Sequence, residues 1–454
     1  MLPPRRPRSI CVSPALATVI ATLLALPAAL PAQRRAAAPA PVVHAPPTRL
    51  GFSVERLARI DRAFQRAVDR GEIAGAVLLV TRDGQTVYDR AFGWADREAG
   101  RRMTTDAIFR VASQTKALTS VAIMSLVEEG RIGLNDPVWR YLPAFRYTTV
   151  AVRTDTGRAI VPARRAITIR DLLTHTAGIS YGTDSLVAPL YAAKGLGPAA
   201  GDGWYLADKD EPICATMERL ATLPFVAQPG ERFVYGYNTD ILGCVVERVT
   251  GVPLDEFIRA RITAPLRMTD TYFFLPPAKR ARLAAVYAST SDSTIVRAPE
   301  GARGQGSYVD GPRRSFSGGA GMLSTARDYA RFLQMLLNGG TLDGVRILAP
   351  STVALMTTDQ IGTLFTRPGM GFGLGFESVA HPGAGGRVEP LGTFGWGGAY
   401  GSTYEVDPTE GLVIAFMIQQ LPNQSTLPAR VPMLVYQALV EPGQRSVSAS
   451  DPAR

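Results

Sequence analysis

Two serine patterns in this chain hold the residue types that nucleophilic chemistry needs. "HTAGISYG" contains Gly178-Ile179-Ser180-Tyr181-Gly182, the G-x-S-x-G spacing that presents a serine on a sharp strand-to-helix turn. "RVASQTKALTS" contains Ser113-Gln114-Thr115-Lys116, a lysine three residues after a serine. A serine hydroxyl is a weak nucleophile and needs an adjacent base. For Ser180 that base would be a histidine. The chain has three: His44 in a Pro/Ala-rich stretch, His381 in a Gly/Pro loop, and His175 close to Ser180.

The elements that must position each serine separate the two. Before Ser180 lies "TIRDLLTHTAG". Thr168 and Asp171 have capping-box spacing, Leu172 and Leu173 are apolar, and Gly178 stands where a helix stops. After it, "YGTDSLVAPL" is loop-like. Ser180 therefore lacks the strand before it and the helix after it that an elbow requires, and reads as a polar loop residue. Ser113 follows the extended run "TDAIFRVA" and precedes "KALTSVAIMSLVEEG", an apolar helix that Gly130 ends. Ser113 thus falls in the helix's first turn, with Lys116 on the same face. Lysine is a base only where its pKa falls, and burial and the positive helix N-terminus both push it down. Arginine stays protonated and cannot do this work. Lysines occur only at 116, 194, 209 and 279, so 49 − 4 = 45 basic residues are arginine. A lysine beside Ser113 is informative in a chain that otherwise uses arginine.

Around these motifs the hydrophobic pattern changes twice. Ser53 can cap a helix with an apolar face of Leu57, Ile60, Phe64 and Val68, ended by Arg70-Gly71. "IAGAVLLVTRDGQTVYDRAFGWA" places two apolar runs around Asp83-Gly84, a hairpin signal. Residues from about 111 to 345 are mostly helical in pattern. Strand patterns return in "GFGLGFESVA", "TFGWGGAYGSTYEVDP" and "GLVIAFMIQQ", and the helix "RVPMLVYQALV" follows. The expected fold is α+β. One antiparallel sheet is built from both chain ends, with terminal helices on one face and a mainly helical lobe (about 118–345) on the other. The repeated strand–helix alternation of a doubly wound sheet is missing.

Composition narrows the function classes. Hydrophobic residues are 46% of the 454, a folded rather than a disordered composition. Residues 1–32 read as a secretory signal: Arg5, Arg6 and Arg8 precede an apolar run, and Ala32 offers a cleavage point. Pro27 and Pro31 favour cleavage over a membrane anchor, and no later run has the roughly eighteen apolar residues of a membrane span. The protein is expected to be exported, periplasmic or secreted in a bacterium. Residues 33–50 read as a Pro/Ala-rich linker, 51–440 as one domain and 441–454 as a loose tail. Residues 1–32 carry three Arg and no acids, so their removal takes the formal charge from +10 to +7. The remaining arginines are dispersed, without the basic stripe that nucleic-acid binding needs. No H-E-x-x-H, Cys/His cluster or phosphate-binding glycine loop is present, so neither metal nor cofactor is expected. Cys214 and Cys244 could be joined in an oxidising compartment or packed as two free thiols.

These blocks together resemble the β-lactamase-related serine hydrolases, the superfamily of class C β-lactamases, DD-peptidases and family VIII carboxylesterases. The resemblance spans about 51–440 and rests on "FRVASQTKALTSVAIMSLVEEGRIGLNDPVWRYLP", "ITIRDLLTHTAGI", "QPGERFVYGYNTDILGCVVERVTG", "SGGAGMLSTARDYARFLQMLLNGG", "GFGLGF" and "FGWGGAYGSTYEVDP", in that order. It implies a β-lactamase/penicillin-binding-protein-like fold and makes "LLTHTAGI" a structural block. It implies Ser113 as nucleophile, Lys116 and Tyr235 as acid–base groups, and the N–H groups of Ser113 and Ala399 as the oxyanion hole. The family's Y-x-N motif is altered: counted from Pro229-Gly230, Tyr235 takes the catalytic place, Tyr237 stands where Asn is usual, and Asn238 follows. Where relatives carry K-T-G or H-x-G, this chain has Trp396-Gly397-Gly398. Trp396, Gly397, Gly398, Tyr237 and Asn238 become the implied substrate-binding residues. Without a lysine at Trp396 the site lacks a cation for the carboxylate of a β-lactam or peptide, and W-G-G resembles the esterase branch. The expected function is cleavage of small-molecule carboxylic esters through a Ser113 acyl-enzyme. The alternatives are a β-lactamase or DD-peptidase of the same fold, and an inactive binding protein on this scaffold.

Overall fold

The computed structural model describes residues 45–155, 157–198, 206, 208–291, 294–300 and 306–443. The expected signal segment, residues 33–44 of the expected linker with His44, and residues 444–454 of the expected tail lie outside the described residues.

Asp83 and Gly84 both adopt positive φ, 49° and 76°, the pairing a two-residue hairpin turn requires. They join β1 (Gly75–Arg82) to β2 (Gln85–Asp96), and β3 (Arg101–Arg102) extends that edge. The other strands come from the C-terminal part: β4 (Met370–Phe372), β5 (Glu377–Val379), β6 (Phe394–Gly397), β7 (Thr403–Asp407) and β8 (Leu412–Ile418). All eight form one antiparallel sheet in the order β4-β5-β6-β7-β8-β1-β2-β3. The two ends of the chain meet at β8 and β1, in register from Ala76↔Ile418 to Arg82↔Leu412.

Six helices matter for the site: α1 (Val54–Asp69), α2 (Thr115–Glu128), α3 (Ile169–Leu173), α4 (Asn238–Thr250), α5 (Ala326–Leu337) and α6 (Leu427–Tyr436). Every residue of β1 and β8 is buried, because both faces of the sheet are covered. On one face Leu78, Val80, Ile414 and Phe416 pack against Leu57, Ile60 and Phe64 of α1 and Val431 and Val435 of α6. On the other, Val77, Leu79, Val413, Ala415 and Met417 join the larger core around α2. α2 is buried on every side from Thr115 to Leu126, as a helix apolar all round must be.

The middle of the chain is mainly helical, as expected, with short strand pairs among the helices. Thr149–Thr154 and Gly157–Pro162 form a hairpin. α5 lies against β1, β7 and β8 of the sheet, with Tyr329 packed on Tyr404 of β7 at 5.3 Å between rings, which buries its apolar stripe. Cys214 and Cys244 are disulfide-bonded, tying the helix Ile213–Leu220 to α4. Among the described residues no helix is long and apolar enough to cross a membrane.

The segment around α3 follows its sequence signals with one shift. Thr168 and Asp171 form the full capping box, but the helix ends at Leu173, five residues before Gly178. Gly178 instead lets two loops touch. A Cβ there would sit 2.0 Å from the Ala227 carbonyl oxygen, and its φ is +80°. Asp171 also accepts both terminal nitrogens of Arg165, at 2.6 and 2.8 Å. Burial opposes its charge, but Arg165 and Thr168 outweigh burial and hold its pKa below the ordinary aspartate value. Asp171→Asn is expected to lower stability by about 2–3 kcal/mol at neutral pH, from a weakened cap and lost charged hydrogen bonds. A group with a lowered folded pKa contributes fully above its unfolded pKa and loses that contribution as pH falls. Denaturant melts should therefore show parent and variant converging below about pH 4; a gap independent of pH would remove the ionic component.

Candidate active site

Ser113 occupies a 3₁₀ turn, Ala112–Gln114, that runs directly into α2 at Thr115. Lys116 lies one turn further on and is 2% exposed. Its Nζ is 3.1 Å from Ser113 Oγ, 2.9 Å from Tyr181 Oη and 2.8 Å from the Gly319 carbonyl oxygen. As an ammonium, Lys116 donates to all three. The Gly319 oxygen can only accept, whereas both hydroxyls can donate or accept. A neutral Lys116 can thus keep two N–H bonds, to Gly319 and Tyr181, and turn its lone pair toward the Ser113 O–H. That is the arrangement a serine needs to lose its proton on attack.

Tyr235 sits on the other side of the lysine. Nζ lies 4.6 Å from the centre of its ring, a cation–π contact rather than a bond to its oxygen. Tyr235 Oη accepts the Trp396 indole N–H at 3.0 Å. Indole is donor-only, so that bond uses an acceptor position of Tyr235 and leaves its own hydroxyl hydrogen available. The phenol hydrogen-bonded to Lys116 is Tyr181, which the sequence reading did not single out. It stands beside Ser180 in the G-x-S-x-G run, and its only sequence signal is a hydroxyl-bearing aromatic in the loop after a capped helix.

Ser180 is 5% exposed, and its Oγ accepts the Gly182 N–H at 3.1 Å as an ordinary turn bond. His175 is buried with φ +56° and packs against Tyr235, the tilted rings 4.7 Å apart. Burial first, and then the Lys116 charge, push its pKa well below the ordinary histidine value, so it is neutral at physiological pH. His381 is exposed in the loop between β5 and β6.

Trp396, Gly397, Gly398 and Ala399 line one cavity of about 690 Å³ together with Ser113 and Tyr235. Gly398 is required by contact: a Cβ there would lie 2.6 Å from the Val111 carbonyl oxygen. A side chain at 398 would push the strand end off the turn that carries Ser113. The cavity's far wall is polar, with Glu377, Glu389, Glu405, Arg367 and Arg387. Tyr237 and Asn238, the other implied substrate-binding residues, are fully buried and do not line this cavity. Tyr237 Oη accepts the Gly197 N–H at 3.0 Å, and Asn238 Nδ2 reaches His175 Nδ1 at 2.9 Å and the Ile179 and Val234 carbonyls. The cause is local: α4 begins at Asn238, and its first turn rolls these side chains into the core.

A further group was hidden in "SGGAG". Asp240 accepts the Ser317 hydroxyl at 2.5 Å and the Gly319 N–H at 3.1 Å, which aims the Gly319 carbonyl at Lys116. Burial pushes the Asp240 pKa up, against the hydrogen bond from Ser317 and the Lys116 charge. Among the described residues no three His, Cys, Asp or Glu side chains are grouped to hold a metal ion.

Comparison with known proteins shows the family and the fold. A beta-lactamase family model matches residues 60–435. Esterase EstB of Burkholderia gladioli is 35% identical over 387 residues, 82% of this chain and 92% of that protein. The Escherichia coli K12 protein named "Putative D-alanyl-D-alanine carboxypeptidase" is 29% identical over 405 residues, 84% of this chain and 86% of that protein. Among solved structures, EstCE1, described as a hydrolase with promiscuous acyltransferase activity, superposes with a TM-score of 0.70 at 28% identity, covering 85% of this chain and 99% of its own.

A fluorophosphonate probe separates the two serines. Peptide mapping is expected to find the adduct on Ser113, with none on Ser180. An adduct on Ser180, or labelling that survives Ser113→Ala, would reverse the assignment.

Proposed function

The chain belongs to the beta-lactamase family and is a serine hydrolase of that fold, and from that premise we propose that it cleaves small-molecule carboxylic esters through an acyl-enzyme on Ser113. The observation that carries the reading is the Lys116 Nζ, buried 3.1 Å from Ser113 Oγ and otherwise bonded to groups that tolerate its neutral form. Ser113 Oγ attacks the ester carbonyl and its proton passes to Lys116. The backbone N–H groups of Ser113 and Ala399 hold the oxyanion. The alcohol leaves with a proton supplied through Tyr235, and the C–O bond breaks. Water then attacks the acyl-enzyme and gives its proton to the same base; the acyl–Oγ bond breaks, Ser113 Oγ takes that proton back, and the acid is released.

Three features support esters over amides. Trp396 stands where a cationic lysine would bind a carboxylate. The Asn expected to hold a substrate amide is replaced in position by the buried Tyr237. EstB carries the name esterase and covers most of this chain. The second reading, a DD-peptidase, is favoured by the carboxypeptidase name of the Escherichia coli relative. Rates on short-chain nitrophenyl esters, nitrocefin and a D-Ala-D-Ala peptide decide between them. Ester turnover is expected to dominate, and strong amide cleavage would overturn the reading. A folded protein that neither turns over esters nor takes up an acyl probe would support an inactive scaffold.

We also propose that the protein works outside the cytoplasm. The signal-like residues 1–32 and the Cys214–Cys244 bond, a feature of oxidising compartments, support this.

Lys116→Arg tests the base. It keeps positive charge but cannot deprotonate, and should lose on the order of 10²–10⁴-fold in kcat. Tyr235→Phe should also lose kcat, whereas Ser180→Ala should change it little. Thermal melts must match for the comparison to hold. If Lys116→Arg kept near-parental kcat with an unchanged melt, the lysine would be only a fixed charge.

A further inference from the structure

The residue in front of Ser113 is held in a backbone conformation it does not favour. Ala112 has φ +43°, a region that residues with a Cβ enter rarely and keep only where their surroundings over-determine it. The peptides on either side show what holds it. Upstream, the Arg110 N–H donates to Gln419 Oε1 at 3.0 Å, and Gln419 Nε2 donates to the Arg110 carbonyl at 2.9 Å. The same Nε2 donates to the Ile418 carbonyl at 2.9 Å. Oxygen faces the N–H and nitrogen faces both carbonyls, so the amide has one orientation and both of its Nε2 hydrogens are used. Gln419 is buried directly after β8, 309 residues along the chain from Arg110. Downstream, the Tyr329 hydroxyl of α5 donates to the Gln114 carbonyl at 2.8 Å. Between them the Val111 N–H donates to the Met322 carbonyl at 3.0 Å, and Gly398 presses on the Val111 carbonyl.

We propose that Gln419 is a positioning residue for the nucleophile. It pins the Arg110 peptide to the end of β8, so that the turn cannot relax from the strained Ala112 conformation that aims Ser113 Oγ at Lys116. Lys116 is fixed independently, by Gly319 and Tyr181. Releasing the upstream end therefore moves serine relative to lysine rather than moving both together. The inference rests on Ser113 being the nucleophile.

A purely structural glutamine would lower stability without changing turnover per working site. The neighbouring Gln420 supplies that control. It is equally buried, and its Nε2 donates to the Glu72 carbonyl at 3.1 Å and Ser289 Oγ at 2.7 Å, away from the turn. Gln419→Leu and Gln420→Leu are compared by thermal melt, by ester kinetics and by active-site titration with a fluorophosphonate. Both are expected to melt lower. Only Gln419→Leu should lose kcat per titrated site, about 10- to 100-fold with KM little changed, the scale of a misplacement near 1 Å. Its rate of probe labelling should fall in parallel. Gln419→Glu keeps the volume and the acceptor for the Arg110 N–H but loses the donors. It should also lose kcat per site, and it decides the matter if the leucine variant does not fold. Parental turnover per titrated site in a folded Gln419 variant, or an equal loss in Gln420→Leu, would overturn the proposal. An inert parent would instead sink the reading of Ser113 itself, before any Gln419 variant is measured.

Discussion

A lysine buried without a carboxylate bonded to it is the constraint around which this molecule is arranged. Moving an ammonium out of water is costly unless each proton finds an acceptor. Lys116 finds three neutral ones: Ser113, Tyr181 and Gly319. The nearby acid, Asp240, is not hydrogen-bonded to it. Asp240 accepts the Gly319 N–H while Lys116 donates to the carbonyl of the next peptide, so acid and lysine hold the same residue's backbone from two sides. Four segments distant in sequence must converge for this: the turn before α2, the loop after α3, the first turn of α4 and the glycine loop at 317–321.

The second constraint is geometric. Ser113 has to face Lys116 from the start of a helix whose whole circumference is buried. The chain reaches that start from a strand end, through the positive φ of Ala112. Such a kink needs rigid surroundings, and the sheet supplies them. Gly398, just past β6, lies against Val111; Gln419, just past β8, holds Arg110; and α5 brings Tyr329 to Gln114. The pairing of β1 with β8 joins the chain's two ends and fixes where β8 stops. The sheet thus sets the position of Ser113, which it does not itself carry.

Sequence made some of this legible and concealed the rest for definable reasons. Ser113 and Lys116 could be paired because three residues on one helix fix their relation without knowledge of the fold. The hairpin at Asp83-Gly84, the α1 cap and the capping box at Thr168 are equally local. The unbroken apolar runs of β1 and β8 announced burial on both faces. Tyr235 was reachable through family resemblance alone, since nothing local separates it from Tyr237. Tyr181 and Gly319 contact Lys116 across 65 and 203 residues, and no periodicity reports such distances. The same limit applies to α5: its amphipathic stripe says that it packs, not on what. Asn238 was placed by motif spacing, which does not report that a helix begins at that residue and turns its side chain into the core.

Trp396 bears on which chemistry the site favours. Where the family resemblance leads one to expect a lysine or histidine, its indole supplies a single N–H and no charge, and that N–H goes to Tyr235 Oη. A donor-only partner decides the direction of the tyrosine's own proton, which cannot point back at the indole and so is available to the cavity. Tyr235 is thereby set as a hydrogen donor, with its ring against the Lys116 charge. A departing alkoxide is a strong base and needs a ready neutral donor at the moment the bond breaks. A β-lactam or peptide needs, in addition, a cation for its carboxylate, which the indole cannot supply. The preference for esters in the proposed reaction thus follows from which atom faces Tyr235, while Ser113 and Lys116 would serve either substrate.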